Sequence, residues 1–141
     1  MNLKSLAMAA AFCALSWSAA QAAEVHFAAA LTGPDEVPPN ATTGKGTATA
    51  TLDTATKAFR YAVTYSGLTG PAMAAHFHGP ASPGQNAPPV ITMKSLASPM
   101  KGEATLTDPQ IADLQAGKWY FNIHTTAHPS GEIRGQLAKA P

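Results

Sequence analysis

Apolar residues fall at every second position in one short run after another, and glycine, proline or a polar turn residue closes nearly every run. VHFAAAL (25–31) sets Val25, Phe27, Ala29 and Leu31 on one side, and GTATATLD (46–53) does the same with Ala48, Ala50 and Leu52. FRYAVTYSGL (59–68) aligns Phe59, Tyr61, Val63 and Tyr65, WYFNIHT (119–125) aligns Trp119, Phe121 and Ile123, and EIRGQL (132–137) aligns Ile133 and Leu137. A period of two marks strands with one buried face. GEATLTD (102–108) weakly echoes GTATATLD, which Ala/Thr-rich composition explains as well as duplication does. One helix is expected in TDPQIADLQAGK (107–118): Thr107 or Asp108 can cap it, Pro109 suits its first turn, Ile111 and Leu114 share a face, and Gly117 can end it. The expected fold class is all-β: an antiparallel β-sandwich of Ig-like or superoxide-dismutase-like type with one short helix, the alternative being a barrel.

The first 22 residues stand apart. Lys4, an uncharged apolar run from Leu6 to Trp17 and the Ala20-Gln21-Ala22 ending have the layout of a secretory signal peptide. Ser16, Ser18 and Gln21 interrupt the run before the roughly 20 apolar residues that a membrane span needs. Phe12 before Cys13 does not fit an acylation site, so release into the periplasm or medium is expected, with no membrane attachment after cleavage. Residues 23–141 then form one domain, of a length that suits a single core. The only cysteine leaves with the signal, so disulfides cannot stabilise the mature chain. Loss of Lys4 leaves eight basic residues against eight acidic ones, without a basic cluster, which argues against nucleic acid and anionic lipid as partners.

The motifs LTGPDEVPP (31–39), GTATATLD (46–53), YSGLTGPAMAAHFHGPA (65–81), GEATLTD (102–108) and FNIHTTAHPSGEIRGQL (121–137) occur in this order and together resemble the CHRD domain family. The resemblance covers nearly all of residues 23–141. It implies an exported, single-domain, β-rich module. Its name comes from a domain repeated in chordin, an extracellular growth-factor binder, but the resemblance assigns no chemistry to a stand-alone domain. Function has to be read from the site.

The residues that carry chemistry are histidines, five in all. In AHFHGP (75–80), strand alternation sends His76 and His78 to one face and Phe77 to the other. In NIHTTAHPSGE (122–132), Ile123 belongs to the core face, so His124 points away from it, and His128 precedes Pro129 in the turn. If the two segments lie side by side, His76, His78, His124 and His128 converge as candidate metal ligands. Neutral imidazoles suit copper, with zinc as the alternative. The chain is too poor in histidine for a dinuclear dismutase site, which needs six with an aspartate, and it lacks the cysteine of a blue-copper centre. Met73 is a soft donor in principle, but its odd number assigns it to the Phe77 face and hence to core packing. His26 becomes a third-position copper ligand only if cleavage follows Ala23 instead of Ala22. Glu132 and Arg134 alternate with Ile133 and read as the solvent face of the last strand, or Glu132 as a carboxylate orienting a bound imidazole.

No hydrolase elbow, phosphate loop, cysteine nucleophile or His-Glu-x-x-His motif occurs, so no catalytic residue is assigned. Two functions remain open. One is an exported protein binding copper through a histidine cluster, for storage, delivery or protection; a mononuclear redox centre is its variant. The other is a non-catalytic extracellular interaction module with structural histidines and another exported protein as its partner. The Pro-rich loop GPASPGQNAPP (79–89) lies beside the His pair, where either function would use it.

Overall fold

The computed structural model describes residues 23–141; the expected signal peptide lies outside the described residues. The elements, in chain order, are β1 (Glu24–Thr32), β2 (Lys45–Asp53), β3 (Ala58–Ser66), β4 (Ala72–His78), β5 (Pro89–Thr92), β6 (Met100–Thr105), α1 (Asp108–Gln115), β7 (Tyr120–Thr125), β8 (Ile133–Gln136) and β9 (Ala138–Lys139). The strands form one antiparallel sheet in the order β5-β4-β7-β8-β1-β2-β3-β6, with β9 pairing β1. Between β8 and β1 the ladder narrows to one partner pair, Thr32 with Arg134. There the two backbones come so close that a side chain at Gly135 would meet the Ala30 carbonyl oxygen, which only glycine avoids.

At this narrow joint the sheet folds over on itself. Aromatic rings from the two halves meet in the middle: Phe77 of β4 lies edge-on to Phe59 and Tyr61 of β3, with centroids 5.3 and 5.1 Å apart. Trp119, just before β7, meets Phe59 at 5.7 Å. Around them Phe27, Leu31, Leu52, Val63, Phe121, Ile123 and Ile133 are all buried, and these are the alternating residues of their strands. The expected all-β antiparallel class is therefore what the chain adopts, in a form between sandwich and barrel, because its two layers stay hydrogen-bonded along one side.

The one helix among the described residues crosses from β6 in one layer to β7 in the other. Thr107 caps it with a reciprocal capping box: its hydroxyl accepts from the Gln110 N–H, and Gln110 Oε1 accepts from the Thr107 N–H at 2.9 Å. Leu114 is its buried anchor, and Gly117 follows with φ +71. β3 ends at Ser66, two residues earlier than the alternation predicts, because Gly67 turns left-handed with φ +68.

The unexpected feature is a second buried layer. Part of the outer face of β4-β7-β8 is shielded from solvent, since the segments around residues 33–42 and 79–88 lie over it at His78 and Arg134. Arg134 donates to Asn86 Oδ1 at 2.9 Å and to the Gln85 carbonyl at 2.6 Å, and Asn86 in turn donates to the Val37 carbonyl. Glu132 and Arg134 are 0% and 2% exposed. The expectation of a solvent face for these two is thus overturned. Alternation located the face of Arg134 correctly, but it carries no information about loops that return to cover it; Glu132, just before β8, meets Thr42, Thr69 and Thr125 instead.

Candidate metal centre

The partly covered outer face carries the even-numbered residues of β4 and β7. His76 and His78 come from β4. Asn122, the register partner of His76, and His124, the partner of Ala74, come from β7. The backbone pairing alone therefore brings the two histidine segments together. One ring nitrogen from each of His76, His78 and His124 lies within 4.8 Å of the other two. Ring centroids are 5.2 Å apart for His76–His78 and for His76–His124. A tetrahedral ion with metal–nitrogen distances of about 2.0–2.1 Å wants its donors about 3.3 Å apart, a gap that small side-chain rotations close.

The hydrogen bonds decide which nitrogens are available. His124 Nδ1 lies 2.9 Å from the Pro129 carbonyl. A carbonyl only accepts, so Nδ1 carries the proton and donates, and in the neutral ring Nε2 is a bare lone pair. That Nε2 is buried and has no partner. His76 Nδ1 is buried without a partner as well. A buried ring nitrogen without a partner costs free energy in an ordinary interior, and this cluster holds two of them.

His78 is held differently. Its Nδ1 donates to the Ala87 carbonyl at 2.8 Å, and its ring lies flat on Tyr120 at 4.6 Å and 3°, with the Arg134 guanidinium 3.5 Å from the other ring. Nε2 lies 2.9 Å from the Asn122 carboxamide oxygen. In a neutral ring protonated on Nδ1, Nε2 accepts, so this contact sets two acceptors against each other unless the carboxamide turns to present its NH2 group. Burial first, and then the neighbouring His78 and His124, push the His76 pKa below its usual value. Burial does the same to His78, against the opposing effect of its hydrogen bonds to Ala87 and Asn122. Both rings are therefore neutral at neutral pH, the only form that binds a metal.

Three of the four candidate ligands thus come together. His128 does not join them: its backbone closes the turn, with N–H to the Thr125 carbonyl at 3.1 Å and its own carbonyl accepting from Thr125 N–H and Gly131 N–H. The Pro129 bias that predicted an extended residue in the turn was silent on the side chain. His26 lies in the other layer on β1, its Nδ1 3.1 Å from Thr51 Oγ1. Met73 is 62% exposed, which corrects its assignment to the core. The register slips between Ala72 and Ala74, so that Met73 is an extra residue in β4 and leaves the alternation.

Three residues of this layer escaped the sequence reading. Asn122 and Tyr120 share the parity of His124 and were within reach of the alternation. Glu36 was not, since nothing local to LTGPDEVPP marks it as buried. It is 3% exposed with Oε1 unpartnered, and burial first pushes its pKa up to about 7, the nearby Arg134 charge notwithstanding. Raised in the fold from 4.5, it contributes stability that is complete below pH 4.5 and lost as pH rises through about 7. Glu36→Gln should therefore gain up to about 3 kcal/mol over the wild type at pH 8 and nothing at pH 4. Urea denaturation of both proteins at the two pH values measures this, and equal stability at pH 8 would contradict it.

A family model of the CHRD domain matches residues 27–137. No curated protein and no solved structure matches the chain. With the match running from β1 to the end of β8, over most of the chain's length, this protein belongs to the CHRD domain family.

Proposed function

We propose that this protein is an exported metal-binding protein that holds one copper ion through His76, His78 and His124, in storage, delivery or protection. The observation that carries the reading is the pair of buried imidazole nitrogens without partners, His76 Nδ1 and His124 Nε2, on two of the three rings that cluster with His78. Three neutral imidazoles with an open fourth position are a ligand set for copper and, as a second reading, for zinc with a bound water. Export rests on the Ala20-x-Ala22 leader, and intact-mass measurement on secreted material tests it: loss of residues 1–22 supports it, retention of Met1 contradicts it.

Protein made without an affinity tag, loaded with copper or zinc and desalted, should retain one ion per chain, and the Cu(II) form should show nitrogen hyperfine structure by EPR. Retention of no ion would favour the interaction-module reading. Affinity should fall with pH, because protons compete for the same nitrogens. With the pKa values of His76 and His78 pushed down by burial, protons compete for these two rings only on the acid side of their usual range, and affinity should be higher at pH 8 than at pH 4.5. Chelator competition across pH 4.5 to 8 reads it directly, and a steep fall already at pH 7.5 would contradict the neutral-ring account.

A further inference from the structure

We infer that Met73 is the fourth ligand of the histidine site, a soft thioether that makes it a site for Cu(I) in preference to zinc. This rests on the metal-binding reading and adds to it the oxidation state. Strict alternation would send Met73 inward beside Phe77. The bulge prevents this: Ala72 pairs Thr125 and Ala74 pairs His124, which leaves Met73 unopposed between them. Ala72 takes the inward place and packs against the core. Beyond it, the inner side of β7 is occupied by Thr125, whose hydroxyl donates to the buried Glu132 carboxylate at 2.7 Å, poor surroundings for a thioether.

Met73 is instead the large hydrophobic residue left exposed among the described residues. Exposure of this kind is ordinary for a single side chain, but its position is not. Met73 lines a surface groove of about 480 Å³ together with His76, His124, Thr125 and Pro129. The same two histidines that border this groove carry the stranded nitrogens. Methionine is unbranched, with three rotatable bonds, so its sulfur can swing across such a groove. Among the described residues no carboxylate joins the histidine cluster, so its donors are all imidazoles. Three imidazoles and a thioether match the softness and single charge of Cu(I), whereas zinc gains nothing from the sulfur.

The test compares the wild type with Met73→Leu, which keeps the volume and removes the sulfur, and with Met73→Ala. Cu(I) affinity is measured under reducing conditions against a chromophoric Cu(I) chelator, and zinc affinity against a zinc chelator. Both variants should lose Cu(I) affinity by about tenfold or more, the scale on which supporting groups act at metal sites. Zinc affinity should stay within about twofold. X-ray absorption of the Cu(I) wild type should show one sulfur among nitrogen neighbours, and Met73→Leu should lack it. Unchanged Cu(I) affinity in both variants, or a sulfur-free copper shell in the wild type, overturns the role of Met73 and leaves the histidine site standing. A wild type that binds neither metal overturns both. Because the side chain is exposed, circular dichroism should report the same fold in all three proteins.

Discussion

Replacing His76 and His124 together by alanine should abolish stoichiometric copper binding in a protein that remains folded. These are the two rings with stranded nitrogens, so their removal breaks few contacts. The only hydrogen bond lost from their side chains is His124 Nδ1 to the Pro129 carbonyl, worth about 1 kcal/mol. The loss of binding is far larger. Four-ligand structural sites bind with about 10–16 kcal/mol, hence about 3 kcal/mol per ligand, and two lost ligands correspond to about 10⁴-fold. His26→Ala is the control and should leave affinity unchanged, since that ring lies on β1 beside Thr51. His78→Ala is the less informative variant, because the ring is bonded to Ala87 and stacked on Tyr120, and its removal mixes folding with binding. Copper retained at wild-type affinity by the double variant, as read by metal analysis and EPR, would place the site elsewhere.

The alternation rule was sufficient for the core and for half of the site. It put Phe77 and Ile123 inside and His76, His78 and His124 on the opposite face, and antiparallel pairing of β4 with β7 completed the convergence. It failed where the chain departs from a regular strand or where a distant segment intervenes. Met73 left its predicted face at a bulge, which four residues of Ala-Met-Ala-Ala do not announce. β5 escaped notice because four residues opening on Pro89 lie below any periodic signal. Glu36, Glu132 and Arg134 are buried by contacts spanning many tens of residues, such as Asn40 Nδ2 to the Glu132 carbonyl and Arg134 to Gln85. Local pattern fixes which way a side chain points; only the tertiary structure fixes what waits there.

Glu132→Ala should be the most destabilising single change considered. The carboxylate is wholly buried, among the described residues no cation lies within salt-bridge distance, and four donors satisfy it instead: Thr42 Oγ1, Thr69 N–H, Thr69 Oγ1 and Thr125 Oγ1, at 2.7 to 2.8 Å. These donors come from three separate segments, so one side chain ties the 40–44 segment and the 67–69 turn to the end of β7. Burial alone would raise its pKa, but the hydrogen bonds outweigh burial and hold the carboxyl below its usual range. Alanine strands all four donors, each at about 1–3 kcal/mol. A total of about 4 kcal/mol or more is most of what a small domain has, and the midpoint of thermal unfolding should drop by about 15 °C or more. The pH dependence supplies a second readout. A carboxyl depressed in the fold stabilises above its unfolded pKa near 4.5 and loses that stability as pH falls through its folded pKa. The acid-induced loss of stability below pH 4.5 should accordingly be smaller in Glu132→Ala than in the wild type. If the alanine variant proves too unstable to purify, Glu132→Gln, which keeps the volume and one carbonyl acceptor, should fold with an intermediate loss and the same flattened acid response. A glutamine variant as stable as the wild type at pH 7, with an unchanged acid profile, would show that the hydroxyls and not the charge hold these segments together.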